Sequence, residues 1–106
     1  MPNEIASLTN RLREFAAARG WGRFHNPRNL ALALVGEAGE LAAELQWVAD
    51  SEVAGHLADP AAKARLAEET ADVLLYLLQF ADACGIDLVA QAHAKITRNQ
   101  TRFPPP

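Results

Sequence analysis

One cysteine, Cys84, is all the thiol chemistry in this 106-residue chain, and a lone cysteine closes no internal disulfide. Long apolar runs are missing as well. The longest, Leu30–Val35 and Val73–Leu78, hold six residues each, against roughly 18 for a helix that spans a bilayer. Met1-Pro2-Asn3-Glu4 offers neither a basic n-region nor an apolar h-region. These absences predict a cytoplasmic chain that does not engage a membrane. An excess of positive charge is lacking too: 10 Lys and Arg stand against 13 Asp and Glu, a net charge of -3, which argues against a nucleic-acid polymer as partner. None of His25, His56 and His93 lies three residues after a Glu, so the Glu-x-x-His signature of di-iron bundles is absent.

What is present is Ala, Leu, Glu and Arg with few β-branched residues, a composition that favours helix. With 50% apolar residues the chain reads as one domain over residues 1–106. A core of that size is modest, so burial is expected to be completed in a homo-oligomer. Asn3 caps a first helix that ends at Gly20, and Asn26-Pro27 opens a second that is predicted to run to about Ala49. A turn over Glu52–Leu57 precedes Asp59-Pro60, which starts a third helix ending at Cys84-Gly85. Asp87 caps a fourth helix to roughly Gln100, and Phe103-Pro104-Pro105-Pro106 is an extended tail. The fold class is therefore all-α, with four helices and no sheet.

Charge is unevenly spread. Nine acids fall between Glu37 and Asp72 against only Lys63 and Arg65, while basic segments lie on either side. On the second helix Leu34, Leu41, Leu45 and Val48 form the core stripe, and Glu37, Glu40, Glu44 and Trp47 form another about 80° around. The third helix repeats the layout, with Leu66, Val73, Leu77 and Phe80 beside Glu69, Asp72 and Tyr76. If the two helices pack antiparallel, Glu37, Glu40, Glu69 and Asp72 share one cleft. Like charges so close call for a cation, and an all-oxygen donor set suits Mg²⁺ better than zinc. Such a site fits phosphoryl chemistry with water as nucleophile, one carboxylate accepting its proton. Lys95 and Arg102, with Asn99 one turn from Lys95, are the candidates for phosphate contacts. His25 has two readings, contact with a ligand or support of the Asn26-Pro27 turn. The competing reading of the whole pattern is a non-catalytic helical interaction module, its acids solvated and its Trp residues in an oligomer interface.

Across Trp21, Phe24-His25-x-Pro27-Arg28-Asn29-Leu30, Gly36-Glu37-Ala38-Gly39-Glu40-Leu41, Gln46-Trp47, Glu68-Glu69-Thr70-Ala71-Asp72-Val73 and Lys95 to Asn99, the chain resembles the MazG-like all-α nucleoside triphosphate pyrophosphohydrolases, and more closely their dCTP pyrophosphatase branch. The resemblance implies a tetramer of helical protomers, with Mg²⁺ held by Glu37, Glu40, Glu69 and Asp72. It also implies cleavage between the α and β phosphates of a nucleoside triphosphate, giving a monophosphate and pyrophosphate. Trp21 and Trp47 are then an aromatic clamp for the base, and Tyr76 adds a hydroxyl. Some dCTP-preferring relatives carry a His where this chain has Leu12, so dUTP, 5-methyl-dCTP and oxidised purine triphosphates stand beside dCTP as substrates. A phosphoribosyl-ATP pyrophosphatase is a further alternative within the same superfamily.

Overall fold

Local chemistry sets the ends of several helices, with side-chain caps at three starts and left-handed glycines after two ends. In the computed structural model, which describes residues 3–106, the helices are α1 (Glu4–Ala18), α2 (Pro27–Ala43), α3 (Val53–Ala58), α4 (Pro60–Cys84) and α5 (Leu88–Arg102). Short 3-10 turns occupy Gly22–Phe24 and Asp50–Glu52, and no strand occurs among the described residues. The side chains of Asn3, Asn26 and Asp87 accept from the backbone N–H of Ala6, Asn29 and Ala90 at 2.7, 2.9 and 3.1 Å. Each satisfies one of the amides that a helix start leaves unpaired. Beyond the C-termini of α1 and α4, Gly20 and Gly85 adopt φ of +65° and +66°, left-handed backbone that favours glycine. The amide of Trp21 then folds back to the carbonyl of Ala16 at 3.0 Å, and that of Ile86 to Ala81 at 2.8 Å.

Two expectations are corrected. The second helix does not continue to Ala49 but ends at Ala43. From Glu44 the backbone tightens, with Leu45 N–H bonded to Ala42 C=O at 3.1 Å and Val48 N–H to Leu45 C=O at 3.0 Å, so three-residue turns replace the four-residue ladder. Glu52 holds the end of this segment by accepting from the Ala49 amide at 3.1 Å. Where a turn was expected at Glu52–Leu57, the chain forms α3, giving five α-helices among the described residues where four were predicted. Six residues are too few for hydrophobic periodicity to reveal such a helix. The tail from Phe103 is non-helical and exposed, as expected.

Packing centres on α4. Its Ala62, Leu66, Leu78 and Ala81 are buried, joined by Ala16 of α1 and Leu30 of α2. α2 packs along α4 most extensively, with α1 and α3 also against it. The side chains expected as core stripes, such as Leu34, Leu41, Val73 and Leu77, are only half-buried, and Leu45 is exposed. α5 departs from α4 at 99° and makes no substantial packing with any other helix. Its side chains are exposed except for the half-buried Leu88 and Asn99. The radius of gyration, 16.9 Å, accordingly exceeds the roughly 13 Å of a compact domain this long. No single helix among the described residues is long and apolar enough to cross a membrane.

Leu78 is 1% exposed at the centre of α4. Leu78→Ala is expected to lower unfolding free energy by about 2–5 kcal/mol, through lost burial and the cavity left behind. Urea denaturation measures the loss, and a change below about 0.5 kcal/mol contradicts the central place of α4.

Candidate metal centre and aromatic cleft

Positions three apart on a helix lie one turn above another on the same face. Glu37 and Glu40 are so related on α2, and Glu69 and Asp72 on α4. The helices run antiparallel in a register visible from side-chain partners. Arg65 donates to Glu44 at 3.2 Å, the charge of Glu40 acts most strongly on Glu69, and Asp72 acts on Glu37. Each step forward along α2 thus meets an equal step back along α4. The result is a cluster in which carboxylate oxygens of Glu37, Glu40 and Glu69 lie within 4.8 Å of one another. Asp72 stands one turn further along, half-buried, with its side chain lining an adjoining cleft.

No basic side chain of the described residues pairs with this cluster. The ion pairs among the described residues are Arg13 with Asp82 and Arg65 with Glu44, and neither reaches the three glutamates. One oxygen each of Glu37 and Glu69 is shut off from water with no hydrogen-bond partner. Burial, then the charges of Glu40 and Asp72, push the Glu37 carboxyl above its usual range. Glu69 is raised likewise by burial first, then by the charges of Glu40, Asp72 and Glu37. Two orphaned oxygens and an uncompensated all-oxygen donor set fit a hard divalent cation.

The cleft beside Asp72 has a volume of about 170 Å³. α1 contributes Leu12 and Phe15, the α1–α2 connection contributes Trp21 and His25, and α4 contributes Leu75, Tyr76 and Gln79. Trp21 meets Phe15 edge to face, with ring centroids 5.5 Å apart and planes at 72°. The connection is pinned by Asn29, whose side chain donates to the Phe24 carbonyl at 2.9 Å. Trp21, His25 and Tyr76 are thus brought together beside Asp72.

Other candidates lie elsewhere. Trp47 is 88% exposed and lines a separate cleft with Ser51 and His56, so Trp21 and Trp47 do not form a clamp within one chain. Lys95, Asn99 and Arg102 lie on α5, which leaves α4 twelve residues beyond Asp72, about 18 Å along the axis. Within one chain they stand apart from the carboxylates. Gln79 was not singled out by the sequence, although it falls on the stripe of Asp72 and Tyr76. Glu44, which the sequence sets on the acidic stripe beside the candidate ligands, is held by Arg65.

A model of the MazG nucleotide pyrophosphohydrolase domain matches residues 25–104. The chain belongs to this family. The MazG chain is 48% identical over 91 residues to dCTP pyrophosphatase 1 of Homo sapiens and to that of Rattus norvegicus, matches covering 86% of this chain and 54% of each relative. It therefore spans about half the length of the curated relatives it matches. The crystal structure of a pyrophosphatase from Archaeoglobus fulgidus superposes on the MazG chain with a TM-score of 0.91 and 33% identity, covering 99% of this chain and 96% of that one.

The raised carboxyls carry a definite sign. Between the ordinary glutamate value of 4.5 and the raised values, the folded MazG chain keeps protons that the unfolded chain has released, so metal-free stability falls as pH rises through that window. Asp82 acts oppositely and lower: its hydrogen bond from Arg13 depresses it below 3.8, so its stabilisation is lost as pH falls through the depressed value. The metal-free melting temperature is expected to decline from pH 4.5 upward, and Glu37→Gln to flatten the decline. A melting temperature that rises or stays level across that range contradicts the account.

Proposed function

We propose that this chain is an Mg²⁺-dependent nucleoside triphosphate pyrophosphohydrolase that cleaves the α–β bond of dCTP or a modified dCTP, clearing it from the nucleotide pool. The observation that carries the reading is the uncompensated cluster of Glu37, Glu40 and Glu69 beside an aromatic cleft, with Asp72 at the junction of the two. Family membership and the similarity to dCTP pyrophosphatase 1 support it. Glu37, Glu40, Glu69 and Asp72 hold the ion, and hard oxygen donors favour magnesium. Bound Mg²⁺ neutralises charge on the phosphates and makes water more acidic. A carboxylate oxygen not taken up by the ion accepts the proton of the attacking water. Water adds across the α–β anhydride, and monophosphate and pyrophosphate leave. Trp21 stacks on the base, with His25 and Tyr76 beside it.

The working unit is a homo-oligomer, a tetramer on this reading. Support comes from the small buried core, the exposed Leu32, Val35 and Ile96, and an α5 without substantial packing against any other helix among the described residues. A neighbouring copy covers α5 and brings Lys95, Asn99, Arg102 and Trp47 to the site, where the first three contact phosphates. The chain acts as one domain in the cytoplasm.

The test is incubation with Mg²⁺ and dCTP, 5-methyl-dCTP or dUTP, with chromatography of the products and light scattering of the same sample. Monophosphate plus pyrophosphate is expected, from particles of four 11.5 kDa chains. Glu69→Gln is expected to cut turnover by at least about 100-fold with helix content retained. Diphosphate plus phosphate as products, or undiminished turnover in the variant, overturns the reading.

A further inference from the structure

The cleft beside Asp72 contains one polar group whose donor and acceptor ends are fixed by the fold. Gln79 follows Asp72 by seven residues on α4, two turns on and about 10 Å along the axis, and forms part of the wall that also carries Trp21, His25 and Tyr76. It is half-buried, and its Nε2 donates to the backbone carbonyl of Leu75 at 3.1 Å. A carbonyl only accepts, so this bond decides which end of the amide is nitrogen and holds that end against the backbone of α4. The oxygen is left over. Oε1 takes no hydrogen bond among the described residues, and it is not one of the oxygens sealed from water, so it is open to a molecule in the cleft.

No neighbouring side chain among the described residues is bonded to it. Gln79 also borders a second cleft, of about 280 Å³, whose lining includes one arginine, Arg13. Arg13 is committed to both carboxylate oxygens of Asp82 and to Asn10. Among the polar groups of the first cleft, Trp21 offers only a donor. The Tyr76 hydroxyl can rotate and the His25 ring can change tautomer, so each adapts to a donor or an acceptor. Gln79 cannot adapt without giving up its bond to Leu75.

Resting on the pyrophosphohydrolase reading, with phosphates at the Asp72 end and the base toward Gln79, we propose that Gln79 is a specificity-determining residue. Its Oε1 accepts a hydrogen bond from the exocyclic amino group of an amino-bearing ring such as cytosine. A ring with a carbonyl at that place, such as uracil, sets one acceptor against another and leaves both unpaired. The selection lies in the polarity of the amide and not in the size of the cleft, since the two pyrimidines differ little in shape.

The test compares kcat/KM for dCTP and dUTP, with Mg²⁺, in the unaltered chain and in Gln79→Leu and Gln79→Met. Met is unbranched and close to Gln in volume, so it decides the matter if the Leu variant does not fold. The unaltered chain is expected to favour dCTP. Each folded variant is expected to lower the dCTP to dUTP ratio by about ten-fold or more, with the loss falling on dCTP. The rise in melting temperature on adding Mg²⁺ is expected to persist in both, because the carboxylate cluster is untouched. A preference for dUTP in the unaltered chain, or an unchanged ratio in a folded variant, overturns the assignment while the hydrolase reading stands. Turnover of neither nucleotide by the unaltered chain overturns the hydrolase reading and takes the assignment with it.

Discussion

Mutual repulsion among Glu37, Glu40 and Glu69 is the constraint from which the rest of the molecule is best understood. Their oxygens gather within 4.8 Å between two packed helices, where a folded chain gains nothing from three unpaired negative charges. Two of the acids answer by holding their protons more tightly. That answer costs stability at neutral pH, and no basic side chain of the described residues offsets it. The arrangement is intelligible as a site kept open for a cation, at the expense of the metal-free fold. The antiparallel register of α2 and α4, with Arg65 on Glu44 at one end and Asp72 facing the cleft at the other, places the charge at a defined point along the bundle.

The cleft depends on the same two-helix core but is finished by α1. Gly20 takes the left-handed backbone that ends α1, and the return of the Trp21 amide to Ala16 carries that indole against Phe15. Arg13 and Asp82 pin α1 to the far half of α4, though both side chains are too exposed for the pair to matter greatly to stability. The proposed metal ligands thus sit on the packed α2–α4 pair, while the groups proposed to meet the base come from α4 and from a connection pinned by hydrogen bonds.

Much of this was legible in the sequence, for reasons that differ from element to element. Asn3, Asn26 and Asp87 act as caps, and Gly20 and Gly85 as stops, because these residues meet local needs that no distant packing alters. The facing acids were legible because an i, i+3 pair on each of two neighbouring helices leaves few other arrangements. The end of α2 at Ala43 was not, since Glu44–Val48 keeps a helical pattern of side chains while its backbone tightens into three-residue turns. That shortening moves Trp47 off the acidic stripe and into a different cleft. α3 was too short for its period to register. α5 has no substantial packing against another helix among the described residues, so Lys95, Asn99 and Arg102 could be named as basic or polar candidates but not positioned. Gln79 escaped notice because an uncharged amide on a helix has no sequence signature; only its bond to Leu75 reveals a polarity.

The central claim is that this carboxylate cluster is a cation site, and a crystal grown with Mn²⁺ in place of Mg²⁺ tests it most directly through anomalous scattering at the manganese edge. The account predicts a strong peak between α2 and α4, within bonding distance of Glu37, Glu40 and Glu69 and beside Asp72. A crystal whose Mn²⁺ peaks all lie elsewhere, with these carboxylates empty at saturating metal, contradicts it.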